Sequence, residues 1–543
     1  MRRFVLFLVV ALVGLAPAVL ACTNFIATPG ATADGSVIVT YTCDGEFHPH
    51  LRQQPAADHE PGAMDDIKDW SGNVLGQVAL PAHTYALVNL MNEKQVTIAE
   101  TTTGGRDELI NPDGLLHYWV LMRLVLQRAA TAREAVTVMG DLVAEYGYRS
   151  SGESFYIGDP NEAWIVEMVG PGPGGNGAHW VALKVPDGYV CGHANLGRIS
   201  TFDSDDKENC LHSTGMVEFA EEKGWYNPGT DGAFSWRAAF HPADPLKLRY
   251  TETRVWSLYR RCAPTQEWPS DYHRGVAGAE PLPLWIKPEQ KLTVADVFEL
   301  MRDHYEGTDL DMTKGVDAGP YGSPYRWRPM GFEVDGQHYS WERPISTQQT
   351  GFSMVTQSRS WLPDAVGGLT WYGVDDTFFT AYVPLYCGIN DIPPSFTTGS
   401  LNQFSWDSAW WVFNFVSNYA NLKYSHMIHD IQAAQAEIEG DFLDLQPAVE
   451  QTAAALASTD PDLMRRYLTD YSVQHGEAVT RKWRQLGEYL LTKYNDGYVK
   501  DDGGRPREKG YPDTWLRSVL EQRPDQFLLP NNDQKTISEP EDY

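Results

Sequence analysis

The stretch CTNFIATPGATADGSVIVTYTCD, residues 22–44, decides the fold. Two runs of mostly β-branched and aromatic residues, 22–27 and 37–42, flank a turn at residues 33–36 that contains Asp34-Gly35. An Asp-Gly pair between two such runs is a strong hairpin signal, because glycine adopts the positive φ angles that tight turns require. We therefore predict a β-hairpin whose first strand begins at residue 22.

Strand and helix patterns both follow this hairpin. Further β-rich runs lie at residues 85–90, 96–100, 154–157, 163–169 and 179–185, whereas residues 115–130 and 132–146 have helical spacing. Asp113 and Thr131 are candidate N-caps for the two helices. Sheets combined with a helical hairpin predict an α+β fold, with a layered αββα body as one arrangement.

The chain changes character near Trp406. Before it, a helix is predicted at residues 294–304 with Thr293 as N-cap, and strands are predicted at 354–361 and 370–384. After it, helical patterns dominate, at residues 427–438, 447–457, 460–494 and 513–521. We therefore expect one body over residues 22–405, a helical region packed on it over 406–529, and a loose acidic tail over 530–543.

The first 21 residues have the layout of a secretory signal peptide. Arg2 and Arg3 precede an apolar run at residues 4–15, and the small residue Ala21 stands directly before Cys22. This run is shorter than the roughly 20 residues of a membrane span, and no later stretch is apolar enough to span. We therefore expect a secreted or periplasmic, soluble protein whose mature chain begins with Cys22.

The same residues allow a second interpretation. The sequence VLAC at residues 19–22 loosely resembles the signal of a bacterial lipoprotein, in which the cysteine is acylated. Leucine directly before the small residue fits that pattern poorly. Acylation would block the amine of Cys22 and exclude any catalytic use of it.

The charge of the chain excludes two classes of partner. The formal net charge is -29, and the signal segment carries arginines only, so the mature chain is more negative still. Such a surface repels nucleic acid and anionic membranes.

The cysteines and histidines predict neither a metal ion nor a cofactor. The six cysteines are scattered without a Cys-x-x-Cys pair, which argues against a zinc ribbon or a redox motif. No carboxylate pattern completes a metal site around His426 and His429. An oxidising compartment permits disulfides, and with Cys22 kept as a free thiol at most two pairs can form. The cysteines open to pairing are Cys43, Cys191, Cys210, Cys262 and Cys387.

Cys22 is the sharpest candidate for chemistry. A cysteine at a new N-terminus carries its own base, since an α-amino group has an ordinary pKa of about 7.7 to 8.0. Directly or through a water molecule, that amine takes the thiol proton and later protonates the leaving amine. The position predicts a nucleophile; the competing interpretation is an ordinary small residue beside a cut site.

An ordered series of motifs resembles one family of such enzymes. CTNF at 22–25, ADGSVI at 33–38 and Asp44 are similar to the N-terminal-nucleophile (Ntn) cysteine hydrolases. These include the dipeptidase/secernin family and, more distantly, penicillin V acylases and bile-salt hydrolases. The resemblance to the dipeptidase branch continues at MNEK (91–94), AETT (99–102), SFYI (154–157), NEAWIVE (161–167), HANLGRI (193–199), RDHYEGT (302–308), QSRSWLP (357–363) and KYNDG (493–497).

The resemblance implies a four-layered αββα sandwich, here with a C-terminal helical extension, and it implies roles for four further residues. Asp44 stands where a carboxylate orients the nucleophile or its amine. Asn92 matches the position whose amide or backbone N–H helps to hold the oxyanion. Asn195 matches a second polar position, near the free amine or the tetrahedral centre, and Arg254 matches a late arginine of the family. Each residue also has a structural alternative. Asp44 and Asn92 would stabilise turns, Asn195 would belong to a loop, and Arg254 would form an ion pair.

Tyr41 departs from the family pattern. The acylases, and often the dipeptidases, have an arginine three residues before the aspartate, at this position. A phenol can hydrogen-bond near the thiol, but it cannot supply the fixed positive charge that lowers a thiol pKa. Either another arginine replaces it, or the activity is weaker or shifted in specificity.

Together these features predict a secreted cysteine dipeptidase in which Cys22 forms an acyl-enzyme with small peptides. One alternative is an acylase of the same superfamily that acts on N-acyl amino acids or conjugated bile acids. The other is a non-catalytic surface binding protein or lipoprotein on the same scaffold.

Overall fold

The computed structural model describes residues 22–242 and 244–528, so the predicted signal segment and the acidic tail lie outside the described residues. The described strands are β1 (Thr23–Ala27), β2 (Val37–Asp44), β3 (Gln53–Gln54), β4 (Ala57–Asp58), β5 (Met64–Lys68), β6 (Val74–Ala79), β7 (His83–Thr84), β8 (Leu87–Val88), β9 (Met91–Asn92), β10 (Thr97–Gly104), β11 (Gly152–Gly158), β12 (Ala163–Val169), β13 (His179–Lys184), β14 (Val190–His193), β15 (Cys210–His212), β16 (Gly331–Val334), β17 (Gln337–Ser340), β18 (Thr350–Ser358), β19 (Leu369–Val374), β20 (Val383–Tyr386), β21 (Val499–Lys500) and β22 (Pro506–Arg507). The described helices are α1 (Tyr118–Leu126), α2 (Ala132–Tyr146), α3 (Met216–Glu222), α4 (Trp236–Phe240), α5 (Pro245–Cys262), α6 (Val294–Met301), α7 (Asp364–Gly367), α8 (Ala409–Ala420), α9 (Tyr424–Thr459), α10 (Pro461–Lys493) and α11 (Asp513–Gln522).

Two large antiparallel sheets form the centre of the molecule. The first has six strands in the order β14-β1-β2-β18-β19-β20, and the second has eight in the order β15-β13-β12-β11-β10-β9-β8-β3. Strands β1 and β2 of the first sheet contact β10 and β11 of the second. Helices α1 and α2 pack on the second sheet, whereas α5, α6 and α8 pack on the first. The predicted α+β class is confirmed.

The predicted hairpin forms at the middle of the first sheet. β1 pairs antiparallel with β2, with Thr23 opposite Thr42 and Ala27 opposite Ile38. Gly35 in the turn has a φ of 84°, which glycine adopts without a steric penalty. Every residue of both strands is buried: the second sheet contacts both strands, and helices α5 and α6 contact the flanking strands β14 and β18.

The predicted helical hairpin is confirmed with one correction. α2 has the predicted bounds and is N-capped by Thr131. α1 begins later than predicted, with His117 instead of Asp113 as its N-cap. The backbone N–H groups of residues 115–116 donate to carbonyls at the C-terminal end of α2, so this segment cannot begin a helix.

The remaining strand predictions are partly confirmed. β12 has the predicted bounds. The run predicted as one strand at 370–384 is divided between β19 and β20 by a turn of 3-10 helix at Thr377–Phe379. α6 begins as predicted, and Thr293 and Asp296 form a capping box at its N-terminus.

α9 replaces two predicted helices. The patterns at 427–438 and 447–457 predicted a break, but the helix runs through Pro447. A proline inside a helix costs about 3 kcal/mol. The buried stripe Ile431, Ile438, Phe442 and Val449 continues on one face across the proline, so burial against neighbouring elements outweighs that cost.

α5 was not predicted. All nine residues from Thr251 to Tyr259 are buried, polar and apolar alike, so polar and charged residues occupy positions where a sequence pattern predicts apolar ones. Only its beginning has a recognisable signal: Asp244 caps the helix by accepting from the N–H of Lys247 at 2.8 Å, and Pro245 occupies the first turn. This helix delivers Arg254 to the first sheet.

After Trp406, helices α8, α9 and α10 pack on one another and on strands β19 and β20. Over the described part of the chain, none of the helices combines the length and the apolar composition that crossing a membrane requires. All six cysteines lie in this part and are buried free thiols, so none of the disulfide pairs left open by the sequence is present.

Candidate active site

Cys22 lies immediately before β1, where the two sheets meet. Its side chain is fully buried, and Sγ lies 3.8 Å from Tyr41 Oη and 3.8 Å from Glu100 Oε1. Tyr41 comes from β2 and Glu100 from β10, so each sheet contributes one neighbour of the thiol. The strand register of the hairpin is what brings Tyr41 to this position.

The backbone of Cys22 is held by two further elements. Arg254 Nη1 donates to the carbonyl oxygen of Cys22 at 2.7 Å and to Thr23 Oγ1 at 2.8 Å. Thr101 Oγ1, from β10, donates to the same carbonyl oxygen at 3.2 Å. These bonds fix the backbone that carries the thiol. A nucleophile in a fixed position is preorganised for attack.

Asn195 links this group to the second sheet. Its φ of 56° is unusual for a residue other than glycine and turns the chain directly after β14. Nδ2 donates to the Thr102 carbonyl at 2.8 Å, Oδ1 accepts from Arg254 Nη2 at 2.8 Å, and the backbone N–H donates to Thr101 Oγ1 at 3.1 Å. Asn195 is therefore fixed from three sides.

The loop that carries Asn195 is itself supported by a buried carboxylate. Glu167 Oε1 accepts from the backbone N–H of Arg198 at 2.5 Å and of Ile199 at 3.0 Å, and lies 3.3 Å from His193 Nε2. Hydrogen bonds from His193 and the Arg198 backbone hold the pKa of Glu167 below its ordinary value although burial opposes them. The ionised carboxylate thus ties the HANLGRI loop to β12.

Asp44 is paired with an arginine that the sequence did not reveal. Arg343 Nη2 lies 2.5 Å from Asp44 Oδ2, and Arg343 Nη1 lies 3.4 Å from Asn195 Oδ1. Thr350 Oγ1 donates to Asp44 Oδ1 at 2.6 Å. Burial nevertheless raises the pKa of Asp44 above its ordinary value, with Arg343 opposing it.

Two buried guanidinium groups therefore contact Asn195, that of Arg254 on α5 and that of Arg343 in the loop after β17. Of the two, Arg254 also contacts the backbone of Cys22. Burial, and then the charge of Arg343, lowers the pKa of Arg254 to about 9. Arg254, which contacts the Cys22 backbone, and Arg343, which contacts Asn195, are candidates for the positive charge that Tyr41 cannot supply. No local pattern marks Arg343, because its contacts are with segments far away in the sequence.

Two glutamates complete the surroundings of the thiol, and sequence reasoning missed both. The Tyr41 hydroxyl donates a short hydrogen bond to Glu100 Oε1. Burial raises the pKa of Glu100 to about 7, with the Tyr41 hydrogen bond opposing the shift. Glu153, on β11, accepts from Thr102 Oγ1 at 3.1 Å, and burial and then the charge of Glu100 raise its pKa well above the ordinary value.

The thiol itself is neutral in the uncleaved chain. Burial, followed by Cys43 and Glu100, raises the pKa of Cys22 well above its ordinary value. While the chain continues to Ala21, Cys22 has no free α-amine. The uncleaved protein therefore lacks the base that the predicted chemistry needs.

The structure does not bring Asn92 into this group. Its Nδ2 donates to the carbonyls of Leu126 and Ala129 at 2.8 and 2.7 Å, and its Oδ1 accepts from the N–H groups of Lys94 and Val96 at 3.0 Å each. An oxyanion role for this amide would require the loss of one of these buried bonds. The structure thus gives Asn92 a structural role between α1 and the β9–β10 turn, whereas Cys22, Asp44, Asn195 and Arg254 do come together.

A cavity of about 510 Å³ adjoins the site on the side of Asp44. Gly45 and Thr350, which neighbour Asp44, form one wall. Aromatic side chains, including Phe47 and Trp410, and polar or charged ones, including Glu46 and Arg328, line the rest. Its position makes it a candidate route for a substrate towards Cys22.

The chain also matches a known family. Residues 50–437 match peptidase family C69. A probable dipeptidase of Salmonella dublin is 27% identical over 426 residues, which are 74% of this chain and 89% of the relative. A probable dipeptidase of Latilactobacillus sakei is 27% identical over 393 residues, 68% of this chain and 75% of the relative. A dipeptidase of Bifidobacterium longum is 26% identical over 436 residues, 72% of this chain and 75% of the relative.

The family match begins after the hairpin, so it carries no information on Cys22 itself. It covers well over half of the chain and includes the motifs between residues 91 and 363 that predicted the relationship. The chain belongs to peptidase family C69 and is a cysteine-type peptidase.

Proposed function

We propose that the protein is a secreted dipeptidase whose nucleophile is the thiol of Cys22, freed as the N-terminal residue when residues 1–21 are removed. The observation that carries the proposal is the convergence of Asp44, Asn195 and Arg254 on Cys22 at the junction of the two sheets. The names of the relatives, all dipeptidases or probable dipeptidases, support the substrate class.

We further propose that the fold is the four-layered αββα sandwich of the Ntn hydrolases. The order of contacts supports it: α1 and α2 lie on the second sheet, the second sheet lies on the first, and α5 and α6 lie on the first sheet. In this arrangement Cys22, directly before β1, stands between the layers, where a freed N-terminus meets side chains from both sheets.

The first half of the reaction uses the new α-amine as base. The neutral amine of Cys22 takes the thiol proton, and the thiolate attacks the carbonyl carbon of the peptide bond. The C–N bond of the tetrahedral intermediate then breaks, and the ammonium group returns the proton to the leaving amine. A thioester on Cys22 and a free amino acid result.

The second half releases the acyl group. The amine of Cys22 takes a proton from a water molecule as the water attacks the thioester carbon, and the returning thiolate is protonated again. The product is the second amino acid, and the enzyme regains its starting state. No other reactant is consumed.

The charged groups around Cys22 favour the anionic states of this cycle. The guanidinium groups of Arg254 and Arg343 attract the thiolate and the oxyanion in a buried site, where Coulomb interactions are strong. One N–H of the Asn195 amide is bonded to Thr102, which leaves its second N–H as the inferred donor to the oxyanion. Asp44 pairs with Arg343 and so limits the excess of positive charge.

The test is export of the protein with its own signal segment, followed by assay of the purified product on a panel of dipeptides. We expect hydrolysis by the wild type and a loss of at least about 1,000-fold for Cys22→Ala and Cys22→Ser. The matched control is Cys387→Ser, because Cys387 is also a buried free thiol but hydrogen-bonds to the Asp364 carbonyl, away from this group. Full activity in Cys22→Ala would overturn the assignment of the nucleophile.

A further inference from the structure

Two buried carboxyl groups beside the nucleophile have no part in the mechanism above. Glu100 and Glu153 stand on the neighbouring strands β10 and β11 and are 0% and 1% exposed. Within residues 22–242 and 244–528, the Oε2 atom of each has no hydrogen-bond partner. A buried carboxylate oxygen without a donor is costly, so a group that supplies donors fits here.

The pair does not hold two negative charges at neutral pH. The two carboxyl groups stand on paired strands; burial raises the pKa of Glu100 to about 7, and burial and then the charge of Glu100 raise the pKa of Glu153 well above that of an ordinary glutamate. Two carboxyl groups close together in a buried site do not both ionise. A pair that carries at most one negative charge suits a ligand with a single positive charge.

The position of the pair defines which part of a peptide it meets. In the N-terminal residue of a peptide, the amine nitrogen and the carbonyl carbon are separated by about 2.5 Å. The carbon under attack stands about 3 to 3.5 Å from the nucleophile. Glu100 Oε1 lies 3.8 Å from Cys22 Sγ, so a carbonyl placed against the thiol brings its own α-ammonium group within hydrogen-bond reach of Glu100.

We propose that Glu100 and Glu153 together bind the free α-ammonium group of the substrate, at the residue whose carbonyl Cys22 attacks. This inference rests on the proposed function and deepens it. Such a subsite selects cleavage directly after the first residue of a free N-terminus, and it disfavours N-acylated compounds. Tyr41 is a positioning residue here, because its hydroxyl fixes one oxygen of Glu100.

The test compares two substrates that differ only in the amine: alanylalanine and propionylalanine. At neutral pH the α-amine of a peptide is mostly protonated, since its ordinary pKa is about 7.7 to 8.0. We expect the wild type to have at least about 100-fold higher kcat/KM on alanylalanine, because one buried charge pair contributes this much. In Glu100→Gln this preference should fall about 100-fold, and in Glu153→Gln about tenfold.

The matched control is Glu145→Gln, an exposed glutamate on α2, which should keep the wild-type preference. A preference that Glu100→Gln leaves intact would overturn the proposal. An equal loss on both substrates would overturn it too, because Glu100 would then act on Cys22 and not on the ammonium group. Should Glu100→Gln fail to fold, as judged by its melting curve, Glu153→Gln gives the same decision.

A binding measurement separates this inference from the proposed function. Calorimetry on the Cys22→Ala variant should show at least about tenfold tighter binding of alanylalanine than of propionylalanine, and Glu100→Gln in the same background should abolish the difference. If alanylalanine binds more tightly in this way but the wild type hydrolyses neither compound, the proposed function is wrong and the proposed subsite is confirmed. If the wild type hydrolyses both equally well, the function stands and the subsite is refuted.

Discussion

Arg343 Nη2 lies 2.5 Å from Asp44 Oδ2, although 299 residues separate the two in the chain. The pair joins the end of β2 to the loop before β18, and Arg343 also lies 3.4 Å from Asn195 Oδ1. We expect Arg343 to supply the positive charge that Tyr41 cannot, from a different part of the fold.

We predict that Arg343→Gln destabilises the protein by about 3 to 5 kcal/mol, because it leaves a buried carboxylate without its partner. Asp44→Asn alone should also destabilise the protein, because it leaves the buried Arg343 guanidinium group without this carboxylate. The double variant should lose less than the sum of the two, since each substitution removes the same interaction. Denaturant unfolding of the four proteins measures the coupling, and strictly additive effects would show that the pair contributes nothing.

We predict that Arg254→Lys lowers kcat/KM by about 100-fold, mainly through kcat. The guanidinium group serves Cys22 O, Thr23 Oγ1 and Asn195 Oδ1 at once, and a lysine ammonium group cannot reproduce this planar arrangement. Arg249→Lys, one turn earlier on α5, is the matched control and should stay within about threefold of the wild type. Steady-state kinetics on a dipeptide measure kcat and KM of both variants. An equal fall in kcat/KM for the two would contradict the role given to Arg254.

We predict that substitution of Asn92 mainly lowers stability, whereas substitution of Asn195 mainly lowers kcat. Asn92→Ala removes four buried hydrogen bonds and should destabilise by about 2 to 4 kcal/mol, with kcat of the folded protein within about threefold of the wild type. Asn195→Ala should instead lower kcat by about 100-fold. Melting curves and kinetics on both variants check this. A loss of kcat in Asn92→Ala without a change in stability would restore the role that the motif implied.

The stability of the wild type should fall as the pH rises from about 4.5 to about 7, in part because of Glu100. The unfolded chain releases the proton of this glutamate near its ordinary pKa of 4.5, whereas the folded protein keeps it up to a pKa of about 7. Its contribution is therefore present in full at low pH and is lost across that window, by about 3 kcal/mol.

Glu100→Gln has no such titration, so it should gain stability relative to the wild type across the same window. Melting temperatures of the two proteins between pH 4.5 and 8 measure the difference. A difference that does not change with pH would mean that the folded carboxyl group ionises as readily as the unfolded one.

Local sequence signals were sufficient for part of the fold and site. The Asp-Gly turn and its flanking strands predicted the hairpin, Thr131 predicted the start of α2, and the position of Cys22 predicted its place at the edge of β1. In these cases turn chemistry, capping and periodicity act within a few residues of the chain. Pattern and structure therefore agree.

The rest depends on contacts between distant segments. Arg343 and Glu153 have no spacing relative to Cys22 that a pattern would detect, because sheet pairing and a long loop bring them there. Asn92 shows the opposite case, since a motif match marked a residue whose amide is already bonded to its own turn and to the carbonyls after α1. α5 was missed because polar and charged residues, among them Glu252 and Arg254, occupy its buried positions.

Peptide mapping by mass spectrometry tests the central claim most directly, on the exported protein treated with alanyl chloromethyl ketone. We expect a single adduct, on the thiol of Cys22, in a peptide that begins with Cys22 and has a free α-amine. An adduct on another cysteine, or a labelled peptide that begins upstream of Cys22, would contradict an N-terminal cysteine nucleophile.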